Sequence, residues 1–206
     1  MRRRFAAVMF LLSNTGPKSR RTHRLLLGGI LAAATIVFAS AGHAFRSLVP
    51  DGASITGGSG NDVDVYGVGA YWDRPCECAF LERFGFDTRI VGQIAYWHGR
   101  ESSEGHGSLW DAGLTPMLRW TSAPGPLAVY AEIGIGVHFL SATRINEQRQ
   151  FGSAFQFGEQ GGAGLVFGPG GRYELGVYIQ HISNAGIKEP NNGITYIAGV
   201  LRAAFH

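Results

Sequence analysis

Between residues 127 and 140 the sequence alternates with a period of two. Leu127, Val129, Ala131, Ile133, Ile135, Val137 and Phe139 form one row, and Tyr130, Glu132, Gly134, Gly136 and His138 lie between them. Successive side chains of a β-strand point to opposite faces, so this stretch reads as a strand with one apolar face and one face of charge and glycine. The same pattern divides the chain into eight segments, at about 52–58, 63–73, 86–98, 108–121, 127–140, 151–167, 173–183 and 193–205. In the third, Ile90, Ile94 and Tyr96 share a face. In the fourth, Trp110, Leu114, Leu118 and Trp120 share one, with Asp111 and Arg119 opposite. Glu159 breaks the apolar row of the sixth, which suggests a bulge or a misplaced boundary. Helical periodicity is hard to find, and the 31 glycines mostly interrupt short alternating stretches.

Several segments run for ten residues or more, with Glu132, Glu174, Arg119 and Arg202 opposite the apolar rows. A soluble sandwich uses shorter strands and turns its apolar rows inward; a secreted soluble barrel is the other reading of the pattern. Tilted strands of about 9–11 residues suit a membrane barrel. The expected fold is therefore all-β: an eight-stranded antiparallel transmembrane β-barrel of the outer membrane. Eight strands leave an interior just filled by side chains, so it should not be a pore. Trp72, Trp97, Trp110, Trp120 and Tyr196 lie near strand ends and fit aromatic girdles, and the penultimate Phe205 resembles the terminal aromatic of many outer-membrane barrels.

The formal charge of +3 misleads. Arg2, Arg3, Arg4, Lys18, Arg20, Arg21 and Arg24 precede residue 45 with no acid among them, so acids outnumber Lys and Arg in the remainder. A nucleic-acid partner is therefore not expected. Residues 25–38 (LLLGGILAAATIVF) follow the basic segment and precede small residues. The run falls short of the roughly 20 residues of a membrane helix and reads as a cleaved secretory signal. Residues 1–44 are the expected signal peptide, cut after Ala41 or Ala44, with Met9 another candidate start; 45–206 are a single barrel domain. Cys76 and Cys78 are too few for a zinc site and too close for an unstrained disulfide, and read as loop thiols.

Residues 172–194 (RYELGVYIQHISNAGIKEPNNGI) carry the candidate chemistry. Tyr173, Leu175, Val177 and Ile179 make an apolar row that continues into His181 and Ser183. A histidine and a serine thus fall on the face that should meet hydrocarbon, where burial gives no reason for either. Residues two apart on a strand lie about 6.6 Å apart along it on one face. Together they form a base and nucleophile pair suited to an ester. His106 and Ser108 repeat the spacing within a glycine-rich connection and read as a surface loop. In the turn beside the serine, Asn184, Gly186 and Asn191 are suitable oxyanion donors; they are equally ordinary turn residues.

The run HISNAGIKEPNNGI resembles the signature of the PagL-like lipid A 3-O-deacylases. TGGSG, AEIGIGVHFLSATR and FGSAFQFGEQGGAGLVF match in order, and the resemblance covers about residues 52–205. It implies an integral outer-membrane barrel that removes the ester-linked 3-O acyl chain of lipid A in lipopolysaccharide. It assigns Ser183 as nucleophile and His181 as base. The oxyanion role falls on Asn191 and the Gly186 N–H, with Asn184 their neighbour. It implies no metal and no cofactor, and a homodimer follows from the resemblance alone.

One position departs from the family. Its motif has a glutamate just after the glycine-isoleucine of this hairpin, orienting the histidine; here the residue is Thr195. On the alternation Thr195 shares the row of Ile197, Leu201 and Phe205, on the side of His181. A threonine can accept the ring N–H but cannot stabilise imidazolium by charge. Glu189, in the turn, is a candidate substitute. The expectations are a slow deacylase, a dyad enzyme, or a barrel that has lost activity. Two further readings are a non-catalytic structural or adhesive barrel, with function in the 100–107 connection, and a phospholipase-type esterase using the same dyad.

Overall fold

The computed structural model describes residues 49–76, 79–100 and 107–205. Eight strands follow one another: β1 (Gly52–Gly60), β2 (Val63–Pro75), β3 (Phe86–Gly99), β4 (Ser108–Thr121), β5 (Leu127–Leu140), β6 (Phe155–Phe167), β7 (Tyr173–Ser183) and β8 (Ile194–Ala204). Each pairs antiparallel with the next, and β1 pairs with β8 to close the barrel. Closure satisfies the ladder of every strand, and only such closure lets strands cross a membrane. The expected signal segment, Cys78, His106 and most of the 100–107 connection lie outside the described residues. Cys76 is a buried free thiol.

The alternation sets the strands closely. β4 and β5 have the expected bounds, β2 runs on to Pro75, and β1 runs on to Gly60, where only Asn61 and Asp62 separate it from β2. Both adopt positive φ (48° and 61°), the geometry of a two-residue hairpin whose twist matches its strands. β6 corrects the expectation. It begins at Phe155, not 151; Phe151 makes only an isolated bridge, to Asn191. Glu159 marks no bulge, because the β5–β6 and β6–β7 registers run through it without a break.

The faces are inverted relative to a soluble barrel. Ile133 is 63% exposed and Val177 58%, whereas Glu132 is 5% and Glu174 6%. Trp110 and Trp120 stand on the outer surface as expected of a girdle. Trp97 and Tyr196 do not: they are buried inside the barrel, where their rings pack edge-on at 6.1 Å. Their odd and even positions share the inward rows of Ala95 and Ala198, and that parity overrides their nearness to strand ends.

Two layers fill the interior. In one, Arg89, Arg119 and Arg202 surround Glu174, donating hydrogen bonds at 2.8, 3.0 and 3.1 Å. Arg119 and Arg202 also donate to Glu132, and Arg89 to Asp73. The Tyr130 ring lies 3.9 Å beneath the Arg119 guanidinium. Charges withdrawn from water must be paired, and this network pairs them. In the other layer, Trp97, Phe151, Ile145, Ile182, Ile194 and Tyr196 form an apolar cluster.

The two ends differ. Gly52 pairs with both Tyr71 and Ala204 at one end, which carries the 76–85 connection with its short helix (Ala79–Glu82) and the five-residue turns at 122–126 and 168–172. The other end carries the two-residue β1–β2 turn and the connections 100–107, 141–154 and 184–193, of which 141–154 is the longest in the barrel, and the β7–β8 hairpin opens there.

Glu174→Ala should destabilise the barrel by about 3–5 kcal/mol, because it leaves three buried guanidinium groups short of an anion. Urea unfolding in detergent micelles measures this, and a loss below about 1 kcal/mol would contradict the assignment of Glu174 as the hub.

Candidate active site

β7 carries the candidate pair at its end. Along its outward row Leu175, Val177 and Ile179 are exposed, and His181 and Ser183 follow half-buried on the same side. Gln180 and Ile182 point inward and are buried. The pair therefore sits at the upper margin of the apolar surface, facing out from the barrel. Across the ladder His181 is in register with Thr195 on β8 and with Glu159 on β6, while Ser183 is in register with Phe157.

His181 Nδ1 lies 2.7 Å from Thr195 Oγ1. With the ring proton on Nδ1 the hydroxyl accepts it, which fixes the ring and leaves Nε2 as the basic nitrogen. Thr195 is held in turn: its N–H donates to Asn61 Oδ1 at 2.7 Å, tying β8 to the β1–β2 hairpin at this level. Glu189 stays within its own loop, where Oε2 accepts the Asn191 N–H at 3.0 Å.

Gly193 brings histidine and serine together. Its φ is +60°, a conformation that side chains disfavour. A Cβ built there would stand 3.2 Å from His181 Cε1 and 3.4 Å from Ser183 Cβ. The imidazole and the serine thus converge on one backbone atom, and the absence of a side chain keeps that space open. Reading by composition takes Gly193 only as the start of a strand; the Asn-Gly dipeptide is the signal that could have marked it.

The following loop is built around Asn184, which is fully buried. Its backbone N–H donates to Asn191 Oδ1 (3.1 Å), its Nδ2 donates to the Lys188 carbonyl (2.6 Å), and its Oδ1 accepts the Gly186 N–H (3.0 Å). Ala185 and Gly186 both have positive φ, which turns the chain sharply behind the serine. Of the three expected oxyanion donors, Asn184 Nδ2 and the Gly186 N–H are thus committed within the loop. Asn191 is anchored through its oxygen, which leaves its Nδ2 as the uncommitted amide donor among the three. The 141–154 connection braces this arrangement: Asn192 N–H donates to the Gln150 carbonyl, and Phe151 bridges Asn191.

Behind β7 a buried chain crosses the lumen. Asp111 accepts from His138 Nδ1 at 2.9 Å, His138 Nε2 lies 3.2 Å from Gln180 Nε2, and Tyr196 donates its hydroxyl proton to Gln180 Oε1. A Cβ at Gly158 would fall 2.4 Å from the His138 ring, so a glycine is required beside it. This chain ties β4, β5, β7 and β8 together directly beneath His181.

Comparison with known proteins gives consistent matches. The family model described as lipid A 3-O-deacylase (PagL) matches residues 65–203. The chain is 34% identical over 143 residues to the lipid A deacylase PagL of Bordetella bronchiseptica, covering 64% of this chain and 76% of the relative. It is 30% identical over 172 residues to the lipid A deacylase PagL of Pseudomonas aeruginosa, covering 80% and 92%. Among solved structures, that of the outer membrane enzyme PagL superposes with a TM-score of 0.63 at 26% identity, covering 75% of this chain and 99% of that one.

Gly193→Ala should leave a folded barrel with a displaced histidine. The left-handed backbone conformation costs about 1–2 kcal/mol once a Cβ is present. The new methyl also crowds both His181 and Ser183, so labelling of Ser183 by a fluorophosphonate probe should slow at least about tenfold. Unchanged labelling would mean that the space over Gly193 is not where the two groups meet.

Proposed function

This chain belongs to the lipid A 3-O-deacylase (PagL) family, and on that premise we propose that it hydrolyses the ester-linked 3-O acyl chain of lipid A at the outer-membrane surface, with Ser183 as nucleophile and His181 as base. The observation that carries this reading is the outward direction of the pair. Both side chains continue the apolar row of β7 and converge over Gly193, beside the hydrocarbon in which such a substrate is embedded. In outer-membrane barrels the longer loops lie on the extracellular side, so this end of β7 faces the leaflet that holds lipopolysaccharide.

The chemistry follows from the geometry. Ser183 Oγ attacks the ester carbonyl and forms a bond to its carbon while His181 Nε2 takes the hydroxyl proton. The bond from that carbon to the sugar 3-oxygen breaks, and His181 returns the proton to the departing oxygen. Water then attacks the acyl-serine carbon while His181 takes its proton, the carbon–Oγ bond breaks as His181 returns that proton to Ser183 Oγ, and the fatty acid leaves. Thr195 holds the ring through Nδ1 and leaves Nε2 free to act as the base. Asn191 Nδ2 donates to the oxyanion, and Asn184 and Gly186 hold the turn that presents it.

Mass spectrometry of lipid A tests this directly. Cells producing the wild-type chain should release a 3-hydroxy fatty acid, and Ser183→Ala or His181→Ala should abolish release while the barrel still folds. Lipid A left intact by the wild type would refute the reading. Thr195→Val should lower kcat by between about 10- and 10⁴-fold, the range spanned when the group orienting a catalytic histidine is lost.

A further inference from the structure

Glu159 is a carboxylate on the lipid-facing row. It is exposed on β6, between Phe157 and Gly161 of the same row, and it is in register with Ile135 on one side and His181 on the other. Among the described strand residues, the only other acid on an outward row is Asp64, and Asp64 stands 3.5 Å from Arg100. The ion pairs of the described residues engage other acids and give Glu159 no cation. At the margin of the apolar surface such an acid is tolerated, but neither burial nor an ion pair of the fold accounts for its presence there.

We propose that Glu159 is a positioning residue for proton transfer through His181, an inference that rests on the deacylase reading. Directly opposed residues on neighbouring strands have Cβ atoms about 4.5–5.5 Å apart, so the carboxylate reaches the imidazole from the β6 side by side-chain rotation alone. Thr195 meets the same ring from the β8 side at Nδ1. On its own strand the same-face residues beside His181 are Ile179 and Ser183, and Gly193 approaches the ring from the loop; none of these is charged. Thr195 therefore supplies the hydrogen bond that fixes the tautomer, and Glu159 supplies the negative charge that stabilises imidazolium as Ser183 loses its proton. The two tasks that one acid performs in a serine–histidine–acid triad are divided between the strands flanking β7. The low dielectric beside lipid strengthens the attraction.

Steady-state kinetics of the full chain in detergent micelles, with 3-O-acylated lipid A as substrate, test this. Folding of each variant is checked by its heat-dependent gel shift. Glu159→Gln should lower kcat about tenfold or more while KM stays within about twofold, and Glu159→Asp should keep most of the activity. Thr195→Glu in the Glu159→Gln background should restore kcat, because one carboxylate then performs both tasks. An unchanged kcat in Glu159→Gln, a change confined to KM, or failure of Thr195→Glu to restore the rate overturns the inference while leaving the deacylase intact. A wild type that releases no fatty acid instead removes the deacylase reading, and this inference with it.

Discussion

Closure of the hydrogen-bond ladder between β1 and β8 is the constraint on which the other features depend. A strand in a closed sheet has no edge to hide, so each side chain has only two directions, into the lumen or out of the barrel. With hydrocarbon outside and little room inside, the apolar rows go out and the charges go in. The lumen then holds three arginines against Glu132, Glu174 and Asp73, an arrangement that would be hard to justify in a water-soluble core. Here it fills a space that the lipid-facing rows have vacated, and every guanidinium finds an anion.

The same two-way choice determines where chemistry can occur. A row that points out of the barrel meets lipid from its middle to its margin, and β7 ends that row with His181 and Ser183. On the proposed reading the enzyme needs no cleft deep enough to extract an acyl chain, because the pair already faces the membrane. What it needs is rigidity at one height on its wall. The buried Asp111–His138–Gln180–Tyr196 chain supplies it from inside. The Asn184-centred loop and the Asn61 bond to β8 supply it from above. Both supports act next to His181 and Ser183 and leave their outward faces open.

Alternation made most of the fold legible in the sequence, and with it the direction of His181, Ser183 and Thr195. It was less useful where composition competed with it. Trp97 and Tyr196 look like girdle residues by type and by nearness to strand ends, but their parity puts them in the lumen. Residues 151–154 look like strand because they are partly apolar, yet they belong to a loop that leans on Asn191. The convergence of histidine and serine over Gly193 was not readable, because it depends on positive φ at Ala185, Gly186 and Gly193 and on how a ten-residue connection folds back. Glu159 was visible as a break in an apolar row, but its partner appears only once register is known: a one-residue slip of β6 would turn it into the lumen.

Register also limits where a displaced acid can go. His181 has two lateral neighbours on its own face, at position 195 on β8 and at position 159 on β6. Positions 179 and 183 lie along its own strand, and Ser183 already occupies one of them. With a threonine on the β8 side, a carboxylate has one equivalent station from which to face the same ring, on the opposite flank of β7. Glu189 is closer in sequence but lies in the loop, with its carboxylate turned to the Asn191 N–H. Glu159 is distant in sequence, yet the ladder makes it as near a neighbour of the histidine as Thr195. A hydroxyl on one side and a carboxylate on the other preserve both the orientation and the charge that the imidazole requires, at the expense of one exposed anion on a lipid-facing wall.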